Sequence, residues 1–503
     1  MALPKLFSLN PQRLLMTHYL KILILVVFVL FAALTIAGCG NPSGETGKPP
    51  DTNDSDETDD SGNVPCVENP DFFQDLNLLI DERMASVATV TWASAEASTD
   101  HVVFGFPDSM SMTSPDELVP SINHQALLLG LKQGTEYAYQ VVSYSSGNDY
   151  CSAVQTFSTG RLDAALPELI LSISDVARSA GGYTMFSILC DENYIASIID
   201  NDGNFVWAYD TQSDLVQRVR LSLDRKAVLY NNNNSADVGN ATINRVSLDG
   251  LEVTQTSFPN MHHDFVETEN GAYAALGWDI YTFTTEDGDR DICGDMILEL
   301  AADGSSREVW NIFDWFEPDL TENYVDENCL KNPDAEDWSH TNSIWYEASE
   351  NAYYITIRYL DKACKIDRST GQLLWCVGGI DSDFTSIGEK SILNEPHSVL
   401  PVDGGLLIYE NYDELAGSCA AGVMVSLDFE SWTAQETWTY GTETCAKNMV
   451  FGNLEPLVNG NRMLVLSVMG QLDETTLDLE TVWRVNAPVG YTFGFGERHE
   501  SLY

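Results

Sequence analysis

Three histidines and an arginine are the residues of this sequence best placed to do chemistry. "HDFVETENG" begins at His263, "HTNSIWYEASENA" at His340 and "HSVLPVDGG" at His397. Each has a polar first residue, alternating apolar positions and then a polar turn, the pattern of a strand entered from its end. "RVRLSLDRK" from Arg218 follows the same pattern without a histidine. A single His at such a place more often caps a strand or holds a buried water. Of eight histidines in the chain, three open such a strand, which points to a shared site. A neutral imidazole can act as a nucleophile, and a charged one can deliver a proton. Arg358, in "YYITIRYLD" on the strand after His340, offers a planar fork of donors to an oxyanion. Asn342 can add a hydrogen bond to a developing charge. His262 adjoins His263, and the repeat register favours His263 as the one that faces the site. No CxxC or Cys/His spacing suggests zinc, so neither a metal nor a cofactor is expected.

These residues lie far apart in the chain, and an internal repeat is what would bring them together. A strand, a Gly/Asp turn and a second strand recur as "IIDNDGNFVWAYD", "RVSLDGLEVTQTS", "LELAADGSSREVWNIF", "KIDRSTGQLLWCVG", "VSLDFESWTAQETWTYG" and "TTLDLETVWRVN". Trp207, Trp310, Trp375, Trp438 and Trp483 close five of the six. The units recur about every 55 residues, the size of a four-stranded blade with its loops. The expected fold is therefore all-β, with a six-bladed β-propeller over residues 161–503. In that architecture the innermost strands start at the mouth of a central channel, so one polar position per blade converges on one axis. The tryptophans are packing residues. Residues 66–160 read as short alternating strands, with Trp92 at a core position. Their Leu131-x-x-Gly134-Thr135-x-Tyr137-x-Tyr139 run resembles the tyrosine corner of fibronectin type III domains. A small β-sandwich acting as spacer or docking module is expected there.

"HHDF", "DWSHTNSIWY…YYITIRYLDKACKIDRSTGQLLW" and "PHSVLPVDGGLLIYEN" resemble the bacterial arylsulfate sulfotransferases over about residues 160–503. The resemblance implies a six-bladed propeller that moves a sulfuryl group from a phenolic sulfate ester to an acceptor phenol without a nucleotide donor. It implies catalytic roles for His263, His340, Arg358 and His397, with His397 carrying the sulfuryl group covalently. It implies substrate contacts from Asn342, with His262 a rival of His263. In the last blade Asn453 stands in register, but no His does. The lipobox, the acidic tether and the fibronectin-like segment depart from the family's best-known members. A different class, a non-catalytic propeller acting as an envelope scaffold or adhesion module, is the competing reading. A hydrolase with water in place of the acceptor is a third.

The chain carries 25 Lys+Arg against 76 Asp+Glu, a net charge of −51. Such a surface repels nucleic acid and anionic headgroups, so neither is expected as a partner. The membrane enters another way. Lys5, Arg13 and Lys21 precede the apolar run Ile22–Leu34, which ends in Ile36-Ala37-Gly38-Cys39. This resembles a bacterial lipoprotein signal over residues 1–38, with Cys39 lipidated at the mature N-terminus. Residues 39–65, rich in Gly, Pro, Asp, Ser and Thr, form an acidic tether. The protein is expected in the bacterial cell envelope, exported and lipid-anchored. Ten cysteines suit that oxidising setting. Cys364 with Cys376, and Cys419 with Cys445, bracket turns and should pair. Cys66 with Cys151 and Cys293 with Cys329 are further candidates, which leaves Cys190 over. Replacing Cys39 with Ser should release soluble protein or leave an unprocessed precursor. Unchanged membrane association and mature size in a fractionation experiment would exclude the anchor.

Overall fold

Strands packed on both faces read as unbroken apolar runs, and strands with one wet face alternate. Both kinds occur in the propeller. Ala352–Ile357 (AYYITI) is buried along its whole length, whereas Thr433–Tyr440 is mostly exposed. The computed structural model describes residues 66–503 apart from 163–164, 191–192, 213–214, 234–237, 270, 325–328, 330–331, 333, 389–391, 412–418 and 442–444. The expected signal segment, Cys39 and the tether to residue 65 lie outside the described residues.

Six sheets, each with four antiparallel strands, form the six blades of a β-propeller. Their inner strands, from blade one to blade six, are Thr492–His499, Val219–Leu221, Met261–Glu269, Thr341–Glu347, Pro396–Val402 and Asn453–Pro456. The ring closes twice. The last strand of the chain, Thr492–His499, pairs with Tyr183–Cys190 and so becomes the inner strand of blade one. Ile170–Ser174 pairs with Thr481–Asn486 and extends the outer edge of blade six. The six sequence units thus fall one to a blade, and "YTFGFGERHESLY" completes the first of them.

The blade tryptophans pack as expected, and three of the five also bond across to the next blade. Trp207 Nε1 donates to the Leu248 carbonyl at 3.0 Å, Trp438 Nε1 to Leu477 at 3.1 Å and Trp483 Nε1 to Asn201 at 2.7 Å. Each acceptor lies in the strand-connecting turn of the next blade. The turn that receives Trp483 is built for it. Asp200 Oδ1 takes the N–H groups of Asp202 and Asn204, and Gly203 supplies a φ of 81° that a side chain would resist.

In residues 66–160, the long strand Ala88–Phe106 changes partners along its length. Its first half pairs with Phe73–Leu79 and Ser121–Leu128, its second with Ser109–Thr113 and Glu136–Ser145. Trp92 is buried and donates to Asp100. The Tyr137 hydroxyl accepts the Lys132 N–H at 2.8 Å, the local bond of a tyrosine corner. This segment is joined to blade one and to the C-terminal residues. Ser86 Oγ donates to the Val206 carbonyl, and the Tyr503 hydroxyl bonds both Leu127 O and Leu129 N.

Among the described residues, four disulfides have both cysteines described: Cys66–Cys151, Cys293–Cys329, Cys364–Cys376 and Cys419–Cys445. Cys364 and Cys376 face each other in register on adjacent strands, their Cα atoms 4.1 Å apart. No described cysteine is free, and this corrects the count that left Cys190 over. Because Trp483 is fully buried at the closure of blade six on blade one, Trp483→Ala should cost about 3–5 kcal/mol. The urea midpoint should fall accordingly.

Candidate active site

Irregularities in the inner strands decide which side chains reach the axis. On Pro396–Val402 the ladder passes from Pro396 to Ser398 and skips His397. On Thr341–Glu347 it passes from Thr341 to Ser343 and skips Asn342. On Met261–Glu269 it passes from His262 to Phe265 and skips His263 and Asp264. A residue skipped by the ladder forms a bulge that re-aims its side chain. His397 is therefore equivalent to Asn342, and His340 to Glu395, two residues away from the alignment read in the sequence. That shared register is corrected accordingly. His340 and Glu395 share a left-handed backbone, with φ of 54° and 49°, and His263 has φ 51°. Such residues cost about 1–2 kcal/mol each and persist where surrounding contacts hold them.

The predicted residues from blades three, four and five do converge. The His263 and His340 rings lie 4.9 Å apart, edge to face. His397 and Arg358 are close enough to act electrostatically on His263 and on each other. Arg358 is not within the strand after His340, as the sequence reading had it. That strand ends at Ile357, and Arg358 opens the 3-10 turn Arg358–Leu360, its N–H bonded to the His340 carbonyl at 3.1 Å. The turn draws the guanidinium toward the histidines.

His397 is 2% exposed, and its Nδ1 lies 3.0 Å from the Gly452 carbonyl. A carbonyl only accepts, so Nδ1 carries the hydrogen and Nε2 keeps its lone pair. Burial, with the charge of Arg358 beside it, lowers the pKa of His397 to about 3, against a small opposing effect of the Gly452 bond. The imidazole is neutral at physiological pH. His263 is likewise held well below its ordinary value, first by burial and then by His340, His262, His397 and Arg358. For Arg358, burial opposes the charged form, but Glu395 outweighs it through an ion pair at Nε.

Four carboxylates back these groups. Asp337 Oδ2 meets His340 Nδ1 at 2.5 Å. Asp295 Oδ1 meets His262 Nε2 at 3.0 Å. Glu395 pairs with Arg358. Asp264 takes Arg218 in a two-point clamp at 2.7 and 2.8 Å. Burial raises the Asp264 carboxyl, yet Arg218 and Arg220 bring it below its ordinary range. Arg218 also lies 3.9 Å over the Phe495 ring, whose other neighbour is His397 at 5.1 Å. None of these carboxylates was singled out from the sequence. A signal existed: Asp264 in "HHDFV" and Asp295 in "ICGDMIL" are charges inside apolar strands, which demand a buried partner.

His262 and Asn453 are placed differently from their strand-opening neighbours. His262 stacks on Trp278 at 4.5 Å and sets its Nε2 3.0 Å from Asp295 Oδ1, so it is His263 that faces His340. Asn453 exchanges two hydrogen bonds with the Gly496 backbone and is thereby taken up in joining blade six to blade one. Asn342 is 1% exposed, and neither atom of its amide has a hydrogen-bond partner. A bound acceptor or donor would relieve that cost. Among the described residues, no group of three or more His, Cys, Asp or Glu is arranged to hold a metal ion.

A propeller with a buried neutral imidazole, two further histidines and an arginine gathered near its axis offers an anion a set of nitrogen groups. The arylsulfotransferase (ASST) family model matches residues 175–487, which span all six blades. The chain belongs to that family, and the family supports aryl sulfotransferase activity on aryl sulfate and phenol substrates. No curated protein matches the chain. Among solved structures, a protein of unknown function from Bacteroides caccae is similar at 15% identity, with a TM-score of 0.36 over 63% of this chain and 98% of that one. Streptogramin B lyase matches at 14% identity and TM-score 0.34, over 63% and 86%. AztD from Citrobacter koseri matches at 6% and 0.31, over 80% and 98%. Likeness at this level carries no argument about activity.

The neutral state of His397 has a thermodynamic consequence. Its folded pKa of about 3 lies below the unfolded value of 6.5, so the unfolded chain takes up a proton that the folded chain refuses. Its contribution to stability is present above pH 6.5 and is lost as pH falls toward 3. The slope is about 1.4 kcal/mol per pH unit. His397→Asn should remove one proton's worth of that slope in unfolding experiments across this window.

Proposed function

We propose that this chain is an exported aryl sulfotransferase working through a sulfohistidine at His397, with no nucleotide donor. The observation that carries the reading is the Nδ1 bond to Gly452, which leaves Nε2 as the lone-pair nitrogen beside Arg358, His340 and His263. In the first half-reaction the Nε2 lone pair attacks sulfur as the S–O bond to the donor phenol breaks. The phenolic oxygen leaves with the bonding pair and takes a proton. In the second half-reaction an acceptor phenol attacks the N-bound sulfur and surrenders its proton, and the N–S pair returns to Nε2. Transfer of this kind depends on positioning and charge stabilisation more than on new covalent chemistry. Arg358 and His340 hold the non-bridging sulfuryl oxygens, with Asn342 as a further donor.

Export with a lipid anchor at Cys39, and a fibronectin III-like role for residues 66–160, complete the proposal. They rest on the lipobox pattern, the alternating strands and the tyrosine-corner bond.

Incubation with p-nitrophenyl sulfate, with and without phenol, tests the reading. Acceptor-dependent nitrophenolate release is expected. Acceptor-independent release would mean a hydrolase, and no release with any aryl sulfate would favour a scaffold. His397→Ala should lose both half-reactions, and Arg358→Ala should slow transfer by roughly 10²–10³-fold, the scale of removing one transition-state donor. Mass spectrometry of donor-treated enzyme, digested at neutral to basic pH, should find one sulfuryl group on the His397 peptide. A stable label on His340 or His263 instead would overturn the assignment.

A further inference from the structure

Sulfuryl transfer between two phenols needs a proton-carrying group, and this inference rests on the sulfotransferase reading above. Donor and acceptor oxygens bond the same sulfur from the same side of the intermediate. One group therefore serves both, as acid in one direction and base in the other. His263 is near, but an imidazolium there would stand in a buried site beside Arg358 and His340. Its neighbour removes the conflict. His262 Nδ1 lies 2.8 Å from His263 Nδ1, and two lone pairs do not meet at that distance without a proton between them. On its other side, His262 Nε2 meets Asp295 at 3.0 Å.

Asp295 is equipped to hold a charge in place. It is 1% exposed, and its Oδ2 accepts from Ser339 Oγ at 2.5 Å and from the Thr341 N–H at 2.8 Å. With those donors and His262, it stays ionised despite burial. Trp278, directly opposite Asp295 in the sheet, stacks on the His262 ring, where its face favours a cation.

We propose that Asp295, His262 and His263 form a proton relay in which His263 Nε2 meets the phenolic oxygen while the positive charge rests on His262. Before donor cleavage, His262 carries protons on both nitrogens and His263 carries one on Nε2. The departing phenolic oxygen takes the Nε2 proton, and the His262 Nδ1 proton moves to His263 Nδ1, leaving two neutral rings. The acceptor phenol reverses each transfer. His263 thus passes a proton without becoming a cation among cations. Asp295 and His262 are positioning residues in this scheme, since neither touches substrate. Through Thr341 and Ser339, the same carboxylate also holds the start of the His340 strand.

Single-turnover bursts of phenol release, measured for aryl sulfates with good and poor leaving groups, test the relay. His262→Phe preserves the ring on Trp278 and removes both nitrogens. A nitrophenolate leaves without a proton, whereas a 4-methylphenolate needs one. The ratio of nitrophenyl to methylphenyl burst rates should widen about 100-fold in the variant, the lower end of what acid–base catalysis contributes. A uniform loss on both donors, or an unchanged rate, would overturn the relay and leave His262 a packing residue. Nitrogen-15 spectra of histidine-labelled wild type give a readout independent of the variant's folding. They should show His262 protonated at Nε2 and one proton between the two Nδ1 atoms; Nδ1 atoms both bare would overturn it. Wild type with no burst on any aryl sulfate would fail the parent reading and the relay together. A wild-type burst with an unwidened ratio would fail the relay alone.

Discussion

A buried guanidinium must be matched by a carboxylate, and this requirement shapes the centre of the propeller. A buried charge without a partner costs several kcal/mol. Here Asp264 answers Arg218 and Glu395 answers Arg358, while Asp337 stands beside the His340 ring and Asp295 beside His262. The pairing does more than neutralise. Each carboxylate fixes one side of its partner, which leaves the other side oriented by default. For an anionic substrate, the result is a set of donors held in place before it arrives.

The same carboxylates bind the blades to one another. Asp264 sits on the inner strand of blade three, clamps Arg218 of blade two and accepts the Ile344 N–H of blade four. Asp295 reaches from the third strand of blade three to the Thr341 N–H of blade four. Glu395 joins blade five to Arg358 of blade four. The site therefore depends on correct assembly of the ring, and its charge pairs help to hold that assembly. This is a reason for placing chemistry at a propeller axis, where several rigid elements meet within hydrogen-bond distance.

The acidic exterior and the cationic interior work at different ranges. A net charge of −51 raises the potential against an incoming sulfate ester, but at physiological ionic strength that field decays over about 8 Å. Buried inside the channel, the Arg358 guanidinium is screened less and acts at short range. The opposing exterior field is a surface property, whereas the site acts at contact distance.

Much of the architecture was legible in the sequence. Six strand–turn–strand units with five terminal tryptophans specify six blades, because a blade is a local structure whose period survives in the chain. His263, His340 and His397 stood out because a polar residue opening an apolar strand breaks the alternation, and Arg358 because it is a charge within an apolar run. The register was not. His397 is the residue its ladder skips, whereas His340 stands two residues before the skipped Asn342, and bulges leave no mark in an apolar/polar pattern. Arg358 was placed within a strand that ends one residue before it. Partners were hidden too, since Asp264, Asp295 and Glu395 meet groups up to 80 residues away along the chain. The sequence by itself determined the repeat and the residue types that face the axis, because these follow from local periodicity. Which nitrogen of His397 bears hydrogen, and which histidine stands behind which, only the tertiary structure decided. Both depend on hydrogen bonds between residues distant in sequence or across neighbouring strands, set when the ring closes.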